Sequence, residues 1–435
     1  MTAETPPSVA VAGLWHLGSV TAACLASRGI DTVAYDTDPA VVAGLAAGRP
    51  PVFEPGLEEL VRAGIERGTL RFTSDPAEVR SVEILWITWD TPVDDDDQAD
   101  VEFVFERVAS LYPHVRDDAL ILVSSQLPLG SVRRLEQAYA AGRPSGRASF
   151  ACSPENLRLG QAIDAFTRPE RVVLGVRSVR DANRVRDLLA PFTASVDVMR
   201  VESAELTKHA LNGFLATSVA FINEIARVGE PFGADAREVE RALKSDPRIG
   251  PRAYLRPGGA FAGGTLARDV SYLIELGERR GKMPLFRGVR DSNDIHRNWT
   301  YDTLVRLLGS LSDQLIAVLG LTYKPGTDSL RRSPAVELCV RLAGNGARVV
   351  AYDPAVKSLQ NELGSVVQLA KTPQDALQGV SAAVIATEWP EFRTLSPEAF
   401  VSNRPQAIVV DPGGFLAGTL QQAPRIRYAV VGTPT

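Results

Sequence analysis

Residues 9–18 read VAVAGLWHLG, a short apolar run that leads into a turn with a glycine near each end. The apolar residues from 20 to 26 then continue as a helix pattern. A strand, a glycine turn and a helix in this order form the first unit of a dinucleotide-binding fold, whose helix N-terminus receives a pyrophosphate. We therefore predict that this turn binds a dinucleotide. The expected contacts are Gly13, Trp15, His16, Leu17 and Gly18.

Asp36 follows the next apolar run, residues 32–35. An acidic side chain at the end of the second strand accepts hydrogen bonds from the hydroxyls of an adenosine ribose, and it repels the 2′-phosphate of NADP. The expected cofactor is therefore NAD.

Trp15 occupies the middle position of the Gly-x-Gly-x-x-Gly pattern. A glycine there normally lets the backbone come close to the pyrophosphate. An indole must either turn away or occupy part of the cofactor site. This leaves an alternative open, in which the domain keeps the fold but no longer binds a dinucleotide.

The composition is that of an ordinary globular protein, with 45% hydrophobic and 23% charged residues in a chain of 435. This length exceeds what one core supports, so two or three domains are expected. The net charge of −5 argues against nucleic acid as a partner, because a polyanion requires a basic surface. The sequence contains no apolar run of about 18 residues and no signal-peptide pattern. We therefore expect no membrane partner and a cytoplasmic location.

The cysteines Cys24, Cys152 and Cys339 are odd in number and far apart, which favours reduced thiols over disulfides. Cys152 directly precedes Ser153 and could lie near a site. The acidic run at 94–97 has no spaced partner ligands, so we interpret it as a solvated loop and predict no metal site.

Residues 202–228 carry apolar side chains at three- and four-residue steps without proline, which predicts a long amphipathic helix. Lys208 and Asn212, four residues apart, are neighbours on its other side. An ammonium group and a side-chain amide are suitable donors for an oxygen that gains negative charge during hydride transfer. Taken alone, however, a lysine and an asparagine at this spacing more often lie on a solvated face of a helix.

The stretch 261–269 reads FAGGTLARD, in which a Gly-rich turn is followed by a hydroxyl, a cation and a carboxylate. It resembles the active-site loop FGGSCLPKD of the UDP-glucose/GDP-mannose 6-dehydrogenase family. Thr265 stands where that family has its nucleophilic cysteine, and Asp269 where it has a water-activating carboxylate. Arg268 replaces a lysine, which preserves the charge but changes its reach.

The resemblance covers nearly the whole chain. The helix at 202–228 matches the family's central helix, which implies that Lys208 and Asn212 are sugar-site donors and that a homodimer forms about this helix. Glu155 matches a glutamate that works with water, although a Pro-Glu pair is also common at a helix start. Gln126 replaces a threonine that helps to orient the water.

The same resemblance implies the binding residues. Nucleotide-sugar contacts are expected from Arg248, Tyr254, Phe261, Gly263 and Lys324. Cofactor contacts are expected from Thr91, Arg268 and Arg331, in addition to the turn residues and Asp36.

Strands and helices alternate again beyond residue 300, beginning with the apolar run 315–320. The resemblance implies a second Rossmann-like domain here. The expected fold is therefore α/β, with two Rossmann-like doubly wound domains joined by a long central helix. We expect an NAD-binding domain over 1–197, a central helical dimerisation and active-site region over 198–300, and a nucleotide-sugar-binding domain over 301–435.

Members of the family oxidise an alcohol twice and trap the intermediate aldehyde on cysteine before water hydrolyses the thioester. A thiol, with a pKa of about 8.5, supplies this nucleophile far more readily than the Thr265 hydroxyl. The resemblance therefore implies an NAD-dependent oxidoreductase that acts on a UDP- or GDP-hexose and stops short of the uronate. Two alternatives stay open: a homologue that binds a nucleotide sugar without redox turnover, and a 6-dehydrogenase that reaches the uronate by an unusual route.

Overall fold

The computed structural model describes residues 7–92, 99–154, 157, 159–262, 265–278, 281–359, 361–401 and 405–434. Two of the predicted site residues, Glu155 and Gly263, lie outside the described residues, as does the acidic run at 94–97. The chain forms two compact units, whose boundary in the sequence lies between Ala210 and Leu211.

The first unit contains one sheet of short apolar strands. These are β1 (Val9–Ala12), β2 (Thr32–Tyr35), β3 (Leu70–Thr73), β4 (Ile84–Ile87), β5 (Leu120–Val123), β6 (Ser149–Cys152), β7 (Val172–Gly175) and β8 (Val196–Met199). Their order across the sheet is β3-β2-β1-β4-β5-β6-β7-β8, and the pairs are parallel except for β6 with β7. The strand order therefore reverses beside β1, the position where doubly wound sheets bind ligands.

Helices cover both faces of this sheet. They are α1 (His16–Ser27), α2 (Pro39–Ala46), α3 (Leu57–Glu66), α4 (Val101–Leu111), α5 (Ser131–Gly142), α6 (Ala162–Thr167) and α7 (Val179–Leu189), with 3₁₀ turns at Pro76–Ser81 and Tyr112–His114. Successive residues of β1 point to opposite faces, so Ala10 and Ala12 enter one apolar core and Val9 and Val11 the other. Burial on both faces explains why the strand is a continuous apolar run.

The long helix predicted at 202–228 is α8 (Val201–Gly229), and it joins the parts of the chain that form the two sheets. No helix in the described part of the chain, α8 included, is long and apolar enough to cross a membrane.

The second unit contains a parallel sheet with the strand order β11-β10-β9-β12-β13-β14. Its strands are β9 (Leu315–Leu319), β10 (Arg348–Tyr352), β11 (Val367–Leu369), β12 (Ala382–Ile385), β13 (Ala407–Val410) and β14 (Ile426–Ala429). Its helices are α9 (Ala236–Ser245), α10 (Leu266–Glu278), α11 (Pro284–His296), α12 (Trp299–Leu308), α13 (Pro334–Gly344), α14 (Asn361–Val366), α15 (Pro373–Ala376), α16 (Pro397–Val401) and α17 (Ala417–Leu420), with 3₁₀ turns at Glu230–Phe232 and Pro390–Thr394. The predicted α/β architecture of two Rossmann-like domains and a central helix is confirmed.

The same turn closes the first strand of each sheet. The backbone N–H of Gly13 donates to the Tyr35 carbonyl over 2.9 Å, and that of Gly320 donates to the Tyr352 carbonyl over 2.7 Å. Both glycines have a positive φ, +102° and +91°. The second strand of each sheet ends in Val-Ala-Tyr and is followed by an aspartate, so that VAYD stands at 33–36 and at 350–353. The second sheet therefore repeats the strand order and the first turn of the first sheet.

Candidate active site

Gly13 and Gly18 are required where the turn between β1 and α1 packs against the sheet. A Cβ atom on Gly13 would lie 2.5 Å from the backbone nitrogen of Trp89, and one on Gly18 would lie 1.8 Å from the Gly13 carbonyl oxygen. Neither position accommodates a larger residue. The two glycines therefore provide the tight turn and the close approach of helix and strand that a dinucleotide site needs.

Trp15 is the N-cap residue of α1, with a φ of −78° and a ψ of −147°, so its backbone does not need glycine. Its side chain is 51% exposed and makes no capping hydrogen bond. The first turn of α1 contains no acidic side chain. Its N–H groups and the positive end of its dipole therefore suit an anion such as pyrophosphate. What Trp15 changes is the bulk beside that position.

Asp36 lies at the end of β2, as predicted, and is buried. Its Oδ2 accepts the backbone N–H of Leu14 over 2.6 Å, and its Oδ1 accepts that of Asp38 over 3.0 Å. A carboxylate offers about four lone-pair positions, so both oxygens retain capacity for a ribose hydroxyl. The residues at this strand end therefore fit NAD.

The equivalent carboxylate of the second sheet has more partners from its own chain. Asp353 Oδ2 accepts the backbone N–H groups of Leu321 and Thr322 over 2.7 and 2.9 Å. The same oxygen accepts the Thr322 hydroxyl over 2.9 Å and the Trp389 indole N–H over 3.0 Å. Oδ2 of Asp353 is therefore saturated, while its Oδ1 accepts the backbone N–H of Ala355 over 2.9 Å. Neither oxygen of Asp36 has as many partners as Oδ2 of Asp353.

Glu54 is a site residue that sequence reasoning missed. It is buried, and its Oε2 lies 2.9 Å from His16 Nε2. The same side chain accepts the backbone N–H of Gly160 over 2.7 Å and that of Ala162, at the start of α6, over 2.9 Å. Glu54 thus connects the glycine turn to the segment that follows β6. The residue stands in a loop without periodicity, so the sequence carries no signal for this contact.

Lys208 lies in the wall of a small cavity of about 30 Å³, together with Gln126 and Cys152. This volume is sufficient for one water molecule. Thr91 contacts the same wall, because its hydroxyl donates to the Gln126 carbonyl over 2.7 Å.

Glu205 lies on α8 about one helical turn before Lys208, and it is also buried at this cavity. Its carboxylate accepts the backbone N–H groups of Gly130 and Val132, each over 2.8 Å. Burial raises its pKa above the ordinary value, against the effect of these two hydrogen bonds. Glu205 therefore anchors the start of α5.

Asn212 and Asp269 are brought together in the second unit. The Asn212 amide donates from Nδ2 to Asp269 Oδ2, and Asp269 is almost completely buried. The Nε of Arg268 lies 3.9 Å from Asp269 Oδ1. Asp269 is in the first turn of α10, and its backbone N–H donates to the Thr265 carbonyl over 3.1 Å. Three of the residues predicted from the FAGGTLARD stretch, Thr265, Arg268 and Asp269, thus lie at one helix start, where the dipole favours a carboxylate.

A cavity of about 700 Å³ lies in the second unit, within the size range of small-molecule sites. Its wall includes Lys324, which has no carboxylate partner among the described residues. It also includes Tyr301, whose ring centroid lies 3.8 Å from the guanidinium carbon of Arg341. A cation and aromatic rings suit an anionic ligand that also carries a flat ring.

Four other predicted binding residues do not themselves line this cavity. Arg248 is exposed and pairs with Asp246 over 2.7 Å, Tyr254 and Arg331 are exposed, and Phe261 bonds to Asn293 through its backbone. None of the four is among the described residues that line the cavity. Their assignment stays a prediction. Among the described residues, no group of three or more His, Cys, Asp and Glu side chains could hold a metal ion.

Three family models match this chain. They are described as the NAD binding domain of the UDP-glucose/GDP-mannose dehydrogenase family, over residues 7–193, its central domain, over 202–295, and its UDP binding domain, over 317–417.

Individual relatives match along nearly their full length. UDP-glucose 6-dehydrogenase TuaD of Bacillus subtilis is 32% identical over 431 residues, which cover 98% of this chain and 93% of the relative. UDP-glucose 6-dehydrogenase AglM of Haloferax volcanii is 34% identical over 418 residues, which cover 93% and 96%. A solved UDP-glucose dehydrogenase of the hyperthermophilic archaeon Pyrobaculum islandicum has a TM-score of 0.87 at 31% identity and covers 98% of each chain.

Proposed function

The chain belongs to the UDP-glucose/GDP-mannose dehydrogenase family of NAD-dependent nucleotide-sugar dehydrogenases, and we propose that it performs one two-electron oxidation of a nucleotide sugar without continuing to the uronate. When bound, NAD⁺ would supply the acceptor for the hydride of the carbon that bears the hydroxyl, and that hydroxyl would lose a proton. The products are one NADH, one proton and one carbonyl compound.

The cofactor is NAD, because residues 7–193 match the NAD binding domain of the family. We assign the turn at Gly13 and the N-terminus of α1 to its pyrophosphate, and Asp36 to its adenosine ribose. Thr91, Arg268 and Arg331 stay predicted cofactor contacts.

We assign the nucleotide sugar to the cavity of about 700 Å³. Residues 317–417, which match the UDP binding domain, contribute Lys324 and Arg341 to its wall. The Lys324 ammonium is suited to the diphosphate, because such a group binds phosphate as a compact point charge. The domain boundaries predicted after residues 197 and 300 stay predictions and form part of this proposal.

Asn212 and Asp269 are proposed to act as a pair. By accepting one N–H of the Asn212 amide, Asp269 fixes the orientation of that amide. The second N–H then points in one direction and can donate to a substrate oxygen. Lys208 keeps the role of sugar-site donor that the resemblance implies, and Glu155 stays a predicted catalytic residue.

The proposal that oxidation stops after one two-electron step is supported by the lack of a thiol that ionises readily. All three cysteines of the chain are buried. Burial raises the thiol pKa of Cys24 and of Cys339 to about 12, and it raises that of Cys152 further. A thiolate is the form that attacks an aldehyde, so none of the three substitutes for a cysteine at Thr265. Buried reduced thiols also support the proposal of a cytoplasmic location.

The stoichiometry of NADH tests this proposal. The purified chain is incubated with NAD and UDP- or GDP-hexoses, and NADH and the product mass are measured together. We expect one NADH per sugar and a product lighter by two hydrogens. Two NADH and a carboxylate would contradict the proposal and favour the unusual route. Nucleotide-sugar binding without NADH would instead favour the non-redox homologue.

Substitution of Thr265 sharpens the test. Thr265→Cys restores a thiol at the start of α10, and we expect it to raise the yield towards two NADH per sugar. Thr265→Ser is the matched control, because it keeps a hydroxyl and should keep one NADH. Equal stoichiometry in both variants would argue that Thr265 is not the residue that limits oxidation.

We further propose a homodimer that forms through α8. Leu211, Phe214, Phe221 and Val228 are exposed, and their spacing of three and seven residues places them on one side of the helix. Exposed apolar stripes of this kind commonly mark subunit contacts. Light scattering of the wild type should give twice the mass of one chain. The variant that combines Phe214→Ser and Phe221→Ser should give the mass of one chain. A monomeric wild type would contradict the proposal.

A further inference from the structure

One wall of the 700 Å³ cavity is a loop without regular structure, residues 258–262, which we call the wall loop. Gly259, Ala260 and Ala262 of this loop line the cavity. Their side chains are small or absent, so the wall loop offers a ligand mainly backbone and shape. The position of its backbone therefore sets the shape of the cavity.

Asn223 of α8 holds the beginning of the wall loop. Its Oδ1 accepts the backbone N–H of Gly258 over 3.0 Å, and its Nδ2 donates to the Gly259 carbonyl over 3.3 Å. The amide thus binds one donor and one acceptor of neighbouring peptide groups, which fixes both the distance and the direction of the backbone.

Two residues of α11 hold the rest of the loop. Asn293 accepts the backbone N–H of Phe261 over 2.9 Å and donates to the Phe261 carbonyl over 3.0 Å. His296 donates from Nε2 to the Gly258 carbonyl over 2.8 Å. Asn293 and His296 are three residues apart, so they lie on the same side of the helix.

The three side chains are deeply buried, with exposures of 1% for Asn223, 4% for Asn293 and 3% for His296. Burying an amide or an imidazole costs free energy unless its hydrogen bonds are made, and an apolar side chain would fill the same space at no such cost. What the polar groups add is a defined backbone geometry. Burial also lowers the pKa of His296 to about 4, so it stays neutral and keeps its Nε2 proton at neutral pH.

We propose that Asn223, Asn293 and His296 are positioning residues that set the wall loop for the nucleotide part of the substrate. They do not touch the reacting atoms. Loss of one hydrogen bond should displace the wall loop and weaken nucleotide binding. The rate at which the bound substrate reacts, measured as kcat, should change much less. This inference rests on the proposed function for the identity of the ligand.

Calorimetric titration of the 435-residue chain with UDP and with GDP tests the proposal, together with measurements of KM and kcat. His296→Leu removes the donor to Gly258, and Asn293→Asp removes the donor to Phe261 while it keeps the acceptor. We expect both variants to weaken nucleotide binding at least about tenfold and to raise KM with little change in kcat. His296→Gln retains an N–H donor and should stay within about threefold of wild type. Ile295→Gln, at an exposed position of the same helix, is the control and should bind as wild type does.

Folded His296→Leu and Asn293→Asp proteins that bind nucleotide as wild type does would overturn the proposal and leave the three residues a purely structural role. If His296→Leu does not fold, Asn223→Asp replaces it, because this change keeps the acceptor for Gly258 and removes the donor to Gly259. A wild type that binds neither nucleotide would overturn the proposed function itself. The two failures are therefore distinguishable.

Discussion

Protonation of His296 should destabilise the second unit in mildly acidic solution. Burial, with a smaller contribution from the Arg227 cation, lowers the His296 pKa from 6.5 to about 4, against the opposing effect of its hydrogen bond to Gly258. The folded protein therefore keeps this imidazole neutral in a pH range where the unfolded chain protonates it. Protonation in the folded state would place a charge in a buried position.

The sign and size of the effect follow from the two pKa values. Between them the unfolded state binds more protons, so the stabilisation is complete above pH 6.5 and is lost as the pH falls towards 4. One pKa unit corresponds to about 1.4 kcal/mol, so about 2 kcal/mol is lost by pH 5 and about 3 kcal/mol by pH 4.

Amide hydrogen exchange is the suitable assay, because a chain with two units need not unfold in one transition. The opening free energy of α11 is measured at pH 7.5 and pH 5 after correction for intrinsic exchange. We expect a decrease of about 2 kcal/mol in wild type and a much smaller one in His296→Gln, which has the same other titrating groups. An equal decrease in both proteins would refute the reasoning.

Two further predictions concern the first unit. Trp15→Gly should strengthen NAD binding severalfold, because it restores the residue that allows a pyrophosphate to come close to the turn; calorimetric titration with NAD measures this, and unchanged or weaker binding would show that the indole is not in the way. Glu54→Gln should lower the free energy of unfolding by about 1–3 kcal/mol, because one amide oxygen cannot serve the His16 ring and two backbone N–H groups as a carboxylate does. Glu58→Gln, at an exposed position of α3, is the control, and an equal loss in both variants on urea denaturation would contradict the role of Glu54.

The strand, turn and helix at residues 9–27 could be predicted because apolar periodicity and glycine are local signals. Asp36 was predicted for the same reason, since it directly follows an apolar run. Helix α8 was predicted almost to its ends, because its apolar residues repeat without proline over many turns.

The contacts that hold the candidate site could not be predicted in this way. Glu54 meets His16 and Gly160 across long stretches of sequence, and His296 meets Gly258 across another. An isolated Glu, Asn or His in a polar stretch has the same sequence signature whether it is solvated or buried. The burial of Cys152 is also a tertiary property, since its strand forms an interior pair with β5.

The repeated turn of the two sheets has a consequence for how the chain folds. Strands β2 and β10 both end in Val-Ala-Tyr followed by Asp, and each pairs in the same register with a strand of similar apolar residues. We therefore expect that, during refolding, either strand can pair transiently with the wrong partner. The two pairings differ at the turn that follows, where Asp36 accepts the Leu14 N–H while Asp353 needs Thr322 and Trp389 as well as Leu321. Sorting of the strands thus depends on loops that form after the pairing itself, so we expect a slow refolding phase that reflects exchange of mispaired strands within one chain.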